Sequence, residues 1–344
     1  MALKAAIVGL GKQARKCHLP GILSSKVAKL VAVCDIDTSK IKEISQQLNV
    51  PGYASIDELL KHESLDFVII ATPHDTHLSI IEKVARKGIH VLKEKPFAIN
   101  IEEGQKMVEL VEKNNIELKV TLQRRFNENY QKFFNFIKEI GQPSFIDIKY
   151  SIFAENPHPA WRAKKEHAGG GCILDMGYHM VDLLVWFFGL PESVYATFST
   201  VSQNEKDTEV EDSASIIFEY ENKCVGNIQL SRYSQPKTEY VKVIGQNGIL
   251  ELLKDKINLY GKNGVLNGSF ILNALSDIDY SEKQISAFVQ TITNRESKNS
   301  EISSYLSHMK FIDACYRSRQ SGKAMNPRST IKIKPQILEQ HERK

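Results

Sequence analysis

The stretch LKAAIVGLGKQA, residues Leu3 to Ala14, decides the fold. Its apolar run, Leu3 to Leu10, passes directly into Gly9-Leu10-Gly11-Lys12-Gln13-Ala14, a glycine-x-glycine-x-x-alanine order. That combination predicts a buried strand, a tight turn and a helix. In this geometry Gly9 permits the turn, Gly11 lets the backbone approach a pyrophosphate, and Ala14 allows close helix packing. The N–H groups at the helix start, around Lys12 and Gln13, then point at the phosphates.

Reading outward, a second apolar strand, KLVAVCDID, ends in Asp35, 24 residues after Gly11, near the separation expected of an acid that binds ribose hydroxyls. Strand LDFVIIAT (Leu65 to Thr72), a helical stretch from His77 to Arg86 closed by Gly88, and strand IHVLKEK continue the alternation. Strands alternating with helices predict a parallel sheet covered on both faces, a Rossmann domain over residues 1–122. The residues after Asp35 are Ile36, Asp37 and Thr38, and the nearest cation is Lys40, so the expected cofactor is NAD. IHVLKEK runs into Pro96, which disfavours the helical region at Lys95 and leaves that lysine extended at the carboxyl edge, where ligands bind.

After about residue 120 the alternation fades. A helical pattern from Gln123-Arg124-Arg125-Phe126 to Glu139 precedes SFIDIKYSI, SVYATFST, SASIIFEY, CVGNIQLSRY and EYVKVIG. Glu221-Asn222-Lys223 separates two of these strands as a hairpin turn. Residues 123–344 therefore read as an α+β domain with a mainly antiparallel open sheet, for substrate binding and oligomerisation. No segment supplies an evident helical cover for one sheet face, which predicts burial against another subunit in a homodimer or homotetramer.

Inside this domain GGGCILDMGYHMVDLLVWFFG, Gly169 to Gly189, reads as an apolar helix behind three glycines. Spacings of four and three residues bring Asp175, His179 and Asp182 to roughly one side of it. No second helix carries a matching set, and Lys95 would have no part in a metal site, so no metal is expected. The loop HPAWRAKKEH, His158 to His167, is basic; it reads as a solvated face or as a lid meeting a phosphate or carboxylate. His18, His90 and His308 read as structural.

Composition sets the frame. A chain of 344 residues exceeds the usual single core, and 42% hydrophobic with 25% charged residues suits a globular protein. A net charge of +4 is too mild for a nucleic-acid partner. Five cysteines, odd in number and without a C-x-x-C pair, suggest reduced thiols and a cytoplasmic setting. The first residues lack a cleavage-site pattern, and the apolar run from Leu183 to Leu190 is far short of the roughly 20 residues that span a bilayer, so no membrane is expected.

Together these features resemble the Gfo/Idh/MocA oxidoreductases. The resemblance rests on Gly9-Leu10-Gly11 with Ala14, Ala71-Thr72-Pro73 with His77, Glu94-Lys95-Pro96, Trp161-Arg162, Gly169-Gly170-Gly171 with Asp175 and His179, and Gly245 with Gly248. It implies that Lys95, Asp175 and His179 are the catalytic group, with the nicotinamide between the domains. It also implies a cofactor site of Gly9, Gly11, Lys12, Gln13, Ala14, Asp35, Thr72, Pro73, His77, Glu94 and Lys95. The implied substrate site is Lys95, Arg125, Trp161, Arg162, Asp175 and His179, around a sugar, a cyclitol or a sugar derivative. His74 departs from the pattern, since many relatives have Asn there.

The chemistry agrees with that implication. Oxidising an alcohol sends a hydride to the cofactor and a proton to a base, and His179 suits the second task. Lys95 donates to the reacting oxygen; Asp175 either orients the imidazole or binds a substrate hydroxyl; Asp182 serves structure. The alternative is a sensor of nucleotide and sugar without turnover, which has no need of a proton-transfer set. A further variant is an enzyme that recycles its nicotinamide without releasing it.

Overall fold

The apolar run after Leu3 becomes strand β1 (Leu3–Val8), near the middle of a six-stranded sheet. The computed structural model describes residues 2–156, 160–200, 208–253, 256–271, 275–294 and 301–329. The sheet also contains β2 (Ala28–Cys34), β3 (Gly52–Tyr53), β4 (Phe67–Ile70), β5 (His90–Lys93) and β6 (Leu118–Val120). All its pairs are parallel, in the order β3-β2-β1-β4-β5-β6. The order reverses between β1 and β4, and a crevice opens beyond the carboxyl ends at such a switch point. Every residue of β4, Phe67 to Ile70, is fully buried, as expected of a parallel strand covered on both faces.

The expected first helix is not purely α. Residues Ala14–His18 form a π-helical turn that continues into the α-helix Leu19–Ser24. Pro20 lacks the N–H that an α-helix would return to the carbonyl four residues earlier, which favours the wider turn there.

The second sheet has eight strands: β7 (Pro143–Phe153), β8 (Ser193–Ser199), β9 (Ser213–Glu219), β10 (Val225–Ser231), β11 (Tyr233–Gly245), β12 (Gly248–Leu253), β13 (Lys256–Gly261) and β14 (Leu266–Ile271). Their order is β14-β13-β12-β11-β7-β10-β9-β8, and only the β7–β10 pair is parallel. The β9–β10 hairpin turns through Lys223, whose φ of 65° is left-handed. Helices Tyr178–Phe188, Ile302–Ser321 and Glu128–Phe136 pack against this sheet and one another. Alternation along β8, β9 and β10 leaves Tyr195, Ile217 and Val225 on the surface, 42%, 56% and 40% exposed.

One helix departs from the sequence division. The first sheet ends with β6 and the second begins with β7, yet the helix Asp277–Asn294 returns to the first unit. Its Ile285, Phe288 and Val289 join the core of Ala5, Ile7, Leu10 and Phe67, with Phe288 and Phe67 in an edge-on ring contact at 5.5 Å. The apolar stripe of an amphipathic helix goes to whichever sheet face lacks cover, and here that face belongs to the Rossmann sheet. His158, Pro159 and the basic tail after Ile337 lie outside the described residues. No helix among the described residues is long and apolar enough to cross a membrane.

Candidate active site

Gly9 closes the turn after β1 with a φ of 93°, and a Cβ there would lie 2.7 Å from the carbonyl group of Ala71. Only glycine meets both constraints. A Cβ on Gly11 would meet nothing within 4 Å, so its backbone borders open space at the carboxyl edge of the sheet. Ala14 is fully buried against the sheet, while Lys12 is exposed and Gln13 donates to Cys17 Sγ at 3.3 Å. Asp35, just beyond β2, accepts from the Leu10 N–H at 2.6 Å and from the Asp37 N–H at 2.9 Å. The acid is thereby pinned to the mouth of the glycine turn. These features fit a dinucleotide: a turn without side chains at the pyrophosphate position and an oriented carboxylate where a ribose would lie.

The next turn, Thr72-Pro73-His74-Asp75-Thr76, is held from within. Thr76 Oγ1 bonds Thr72 Oγ1 at 2.6 Å, and the His77 ring donates from Nε2 to the Thr72 carbonyl at 3.0 Å. His77 is only 1% exposed, and burial pushes its pKa well down. It braces the turn. Glu94 likewise receives the His18 ring at 2.8 Å, in line with the structural reading of that histidine.

Lys95 leaves β5 for the second domain. Its Nζ bonds Asp175 Oδ1 and, at 3.2 Å, the Asp175 carbonyl. Asp175 Oδ2 accepts from Arg232 Nη2 at 2.8 Å, and Arg162 Nε stands 3.8 Å away. Burial alone would raise the pKa of this carboxyl, but Lys95 and Arg232 outweigh it and hold it far below the usual carboxylate range. Both oxygens are engaged by cations. Asp175 therefore holds Lys95, and it does not orient the imidazole of His179.

The helical reading of Gly169 to Gly189 is corrected here. The helix begins only at Tyr178, and Asp175 sits in the turns before it. A distant side chain holds the stretch ahead of the helix. Glu211 Oε1 accepts from the Gly171 and Ile173 N–H groups at 3.1 and 2.9 Å and from Tyr316 OH at 3.0 Å, while its backbone carbonyl takes the Cys172 N–H at 2.7 Å. A Cβ on Gly171 would fall 1.8 Å from that carbonyl oxygen. These bonds fix residues 171–173 against Glu211 in the turns ahead of the helix.

His179 lies one residue into the helix and is 8% exposed. Burial first, then Arg124 and Lys95, push its pKa well below the ordinary value, so the ring is neutral. Among the described residues its ring nitrogens have no hydrogen-bond partner. Asp182, on the next turn, is 1% exposed and accepts from Arg125 Nε and Nη2 at 3.0 and 2.7 Å. Arg125 is thus held by Asp182 and Ser304. His308 accepts or donates at Tyr178 OH, 3.1 Å away, and His90 Nδ1 accepts from the Glu117 N–H at 2.8 Å. Both are structural.

The basic loop divides. Lys164 pairs with Glu209 at 3.1 Å, Lys165 lies 5.8 Å from the Tyr316 ring centre, and His167 meets Asp75 at 2.7 Å. Among the described residues of the loop, only Arg162 reaches the Asp175 cluster, stacked 4.4 Å from the ring centre of Trp161. Trp161 in turn packs edge-on to His74 at 4.6 Å. His74, 5% exposed, donates from Nδ1 to the Ala168 carbonyl at 3.1 Å, and burial lowers its pKa to about 3. The residue that departs from the pattern is a neutral bridge between the two units.

Sequence reading missed Arg232 and Glu211. A signal for Arg232 existed: alternation along β10 puts Leu230 inward and Ser231 outward, so the next inward position carries an arginine, 3% exposed. A charge at an inward position asks for a buried partner. Glu211 carried no such periodic signal.

Two family models match the chain. One, described as the oxidoreductase family with an NAD-binding Rossmann fold, covers residues 3–122, and the Gfo/Idh/MocA C-terminal domain covers 137–251. The chain is 24% identical over 325 residues to D-xylose 1-dehydrogenase (NADP(+)) 2 of Haloferax volcanii, spanning 93% of this chain and 98% of that one. It is 30% identical over 230 residues to trans-1,2-dihydrobenzene-1,2-diol dehydrogenase of Xenopus laevis, 65% of this chain and 67% of that one. The crystal structure of an oxidoreductase from Thermotoga maritima superposes with a TM-score of 0.83 at 28% identity, covering 95% and 99% of the two chains. With a glycine turn shaped for a dinucleotide, a lysine bridging to the second domain, and both domain models in their proper order, the chain belongs to the Gfo/Idh/MocA family and is an NAD(P)-dependent oxidoreductase.

Proposed function

We propose that this enzyme transfers a hydride between NAD and a secondary hydroxyl or keto carbon of a sugar, a cyclitol or a sugar derivative, with Lys95, Asp175 and His179 as its catalytic group. The observation that carries the reading is the Lys95–Asp175–Arg232 bridge, which fixes an ammonium at the carboxyl edge of the Rossmann sheet close to a neutral His179. Gly9, Gly11, Lys12, Gln13, Ala14, Asp35, Thr72 and Pro73 form the cofactor edge, with His77 and Glu94 bracing it. Trp161 and Arg162 border the substrate. The substrates named for the two relatives, D-xylose and a dihydrobenzenediol, both carry adjacent hydroxyls on a carbon skeleton or ring.

In this reading His179 takes the hydroxyl proton, and Lys95 donates to the oxygen as negative charge develops on it. The bound nicotinamide supplies the hydride acceptor. Asp175 holds Lys95 in place. A spectrophotometric screen of sugars, inositols, sugar phosphates and nucleotide sugars tests the proposal: reduction of added NAD by at least one polyol is expected. Thermal stabilisation by nucleotide with no reduction on any of them would leave the sensor reading in its place.

Cofactor choice follows from charge. Asp35 faces the ribose position, and two cations near it are already paired: Arg15 with Glu43 at 2.6 Å and Lys40 with Asp37 at 3.3 Å. A 2′-phosphate would meet uncompensated carboxylate. At about 4 Å the repulsion is roughly 4 kcal/mol per unit charge at an effective dielectric of 20, and salt and exposure reduce it. A surviving ~1.4–2.8 kcal/mol gives about 10- to 100-fold tighter binding of NAD than of NADP. Titrating both cofactors by protein fluorescence checks this, and equal or tighter NADP binding would sink it.

The surface row of Tyr195, Ile217 and Val225 on the uncovered sheet face supports a homodimer or homotetramer closed across that face. Light scattering should show the oligomer, and Ile217→Asp should shift it toward monomer; a wild-type monomer at micromolar concentration would refute the assembly. Five buried, unpaired cysteines support a cytoplasmic setting.

A further inference from the structure

Lys93 closes β5 and is fully buried, yet it has no place in the chemistry above. Its Nζ donates to the carbonyls of Pro96 and Phe97, each at 2.7 Å, and lies 6.0 Å from the Phe97 ring centre. Those two carbonyls follow Lys95 directly. The strand holds Lys95 from one side through the Glu94 N–H on the Ile70 carbonyl, 2.8 Å, and the Lys93 ammonium holds it from the other. The segment that carries Lys95 is therefore a closed clamp built from residues 93–97.

The charge balance fits a purpose in place of packing. The companion anion is Glu103, 7% exposed, at the start of the helix Ile101–Asn114, whose N–H bonds the capping Asn100 at 2.8 Å. Burial pushes Lys93 down and Glu103 up, and each charge offsets the other; Glu94, His77, Asp75 and Lys106 are the remaining titratable groups that act on this pair. A buried ammonium is costly to desolvate, and an apolar side chain of similar length would fill the same space more cheaply. What the apolar side chain could not do is hold two carbonyls.

We propose that Lys93 is a positioning residue, which fixes the turn from which Lys95 reaches Asp175 and so sets turnover without touching substrate or cofactor. The proposal rests on the reading of Lys95 as catalytic. A misplacement of about 1 Å at a reacting group costs on the order of 10²-fold. Lys93→Met is therefore expected to lower kcat by about 10- to 100-fold, with the affinity for NAD within about twofold of wild type. Because the effect runs through Lys95, the double variant Lys93→Met/Lys95→Met should be no slower than Lys95→Met alone.

A second readout needs no substrate. Competitive acetylation with acetic anhydride, followed by peptide mass spectrometry, measures how freely the Lys95 amine reacts, and Lys93→Met should raise its rate several-fold. Losses that multiply in the double variant, unchanged Lys95 acetylation, or undiminished kcat would each overturn the proposal. Normal turnover in Lys95→Met would instead overturn the site reading on which it rests. If Lys93→Met fails to fold, Lys93→Gln, which keeps a donor for one carbonyl, takes the same measurements with the same criteria.

Discussion

Replacing His179 by Ala, or Lys95 by Met, is expected to lower turnover by about 10²–10⁴-fold while leaving NAD affinity nearly intact, the loss typical of a general acid–base group. Neither side chain is bonded to the glycine turn or Asp35, which hold the pyrophosphate and ribose in this reading, so the larger part of the cofactor's contacts is left in place. The pH profile carries the sharper test. His179 works as a base only while neutral, and burial with nearby Arg124 and Lys95 keeps its pKa well below the ordinary 6.5. The neutral form then persists as pH falls through 6.5, so kcat/KM should remain flat there and decline only at more acid pH. An acid limb centred at or above 6.5, or near-normal turnover in His179→Ala, would remove His179 from the role of base.

Arg232→Met should destabilise the fold by about 1–3 kcal/mol and reduce turnover as well, because it leaves a half-buried carboxylate with one partner fewer. Arg232 is 3% exposed and accounts for the bond to Asp175 Oδ2. The sign with pH is fixed. The folded pKa of Asp175 is lowered, so its contribution is present above the unfolded carboxylate pKa, near 4, and is lost as pH falls through the folded value. Without Arg232 that lowering shrinks. The stability difference between wild type and Arg232→Met is thus expected to be largest at neutral pH and to narrow below about pH 4. Urea denaturation at several pH values measures both; a neutral-pH difference under about 1 kcal/mol would mean that Arg232 does not anchor Asp175.

The Rossmann half was legible because its signals are local. The run into Gly9 and Gly11, the acid at Asp35 and the helix closed at Gly88 each depend on neighbours in the chain, and backbone sterics act at that range. The β9–β10 hairpin was legible for the same reason, through alternation and a turn at Lys223. Lys95 could be placed, extended, at the carboxyl end of its strand from Pro96.

Partner choice was not legible. Asp175 reads as helical from its spacing, but it lies in turns ahead of the helix, in a stretch whose Gly171 and Ile173 N–H groups bond Glu211, about 40 residues later in the chain. Nothing near Arg125 in the chain announces that Asp182, 57 residues away, binds it. The helix Asp277–Asn294 shows an apolar stripe without stating which sheet it covers. By itself, then, the sequence determined the strand and turn identities and the residue types at the site, because torsional preference and periodicity reside in short segments. The tertiary structure alone decided that Asp175 lies between Lys95 and Arg232, 80 and 57 residues distant, because a buried charge is satisfied by whichever opposite charge the assembled core brings within reach.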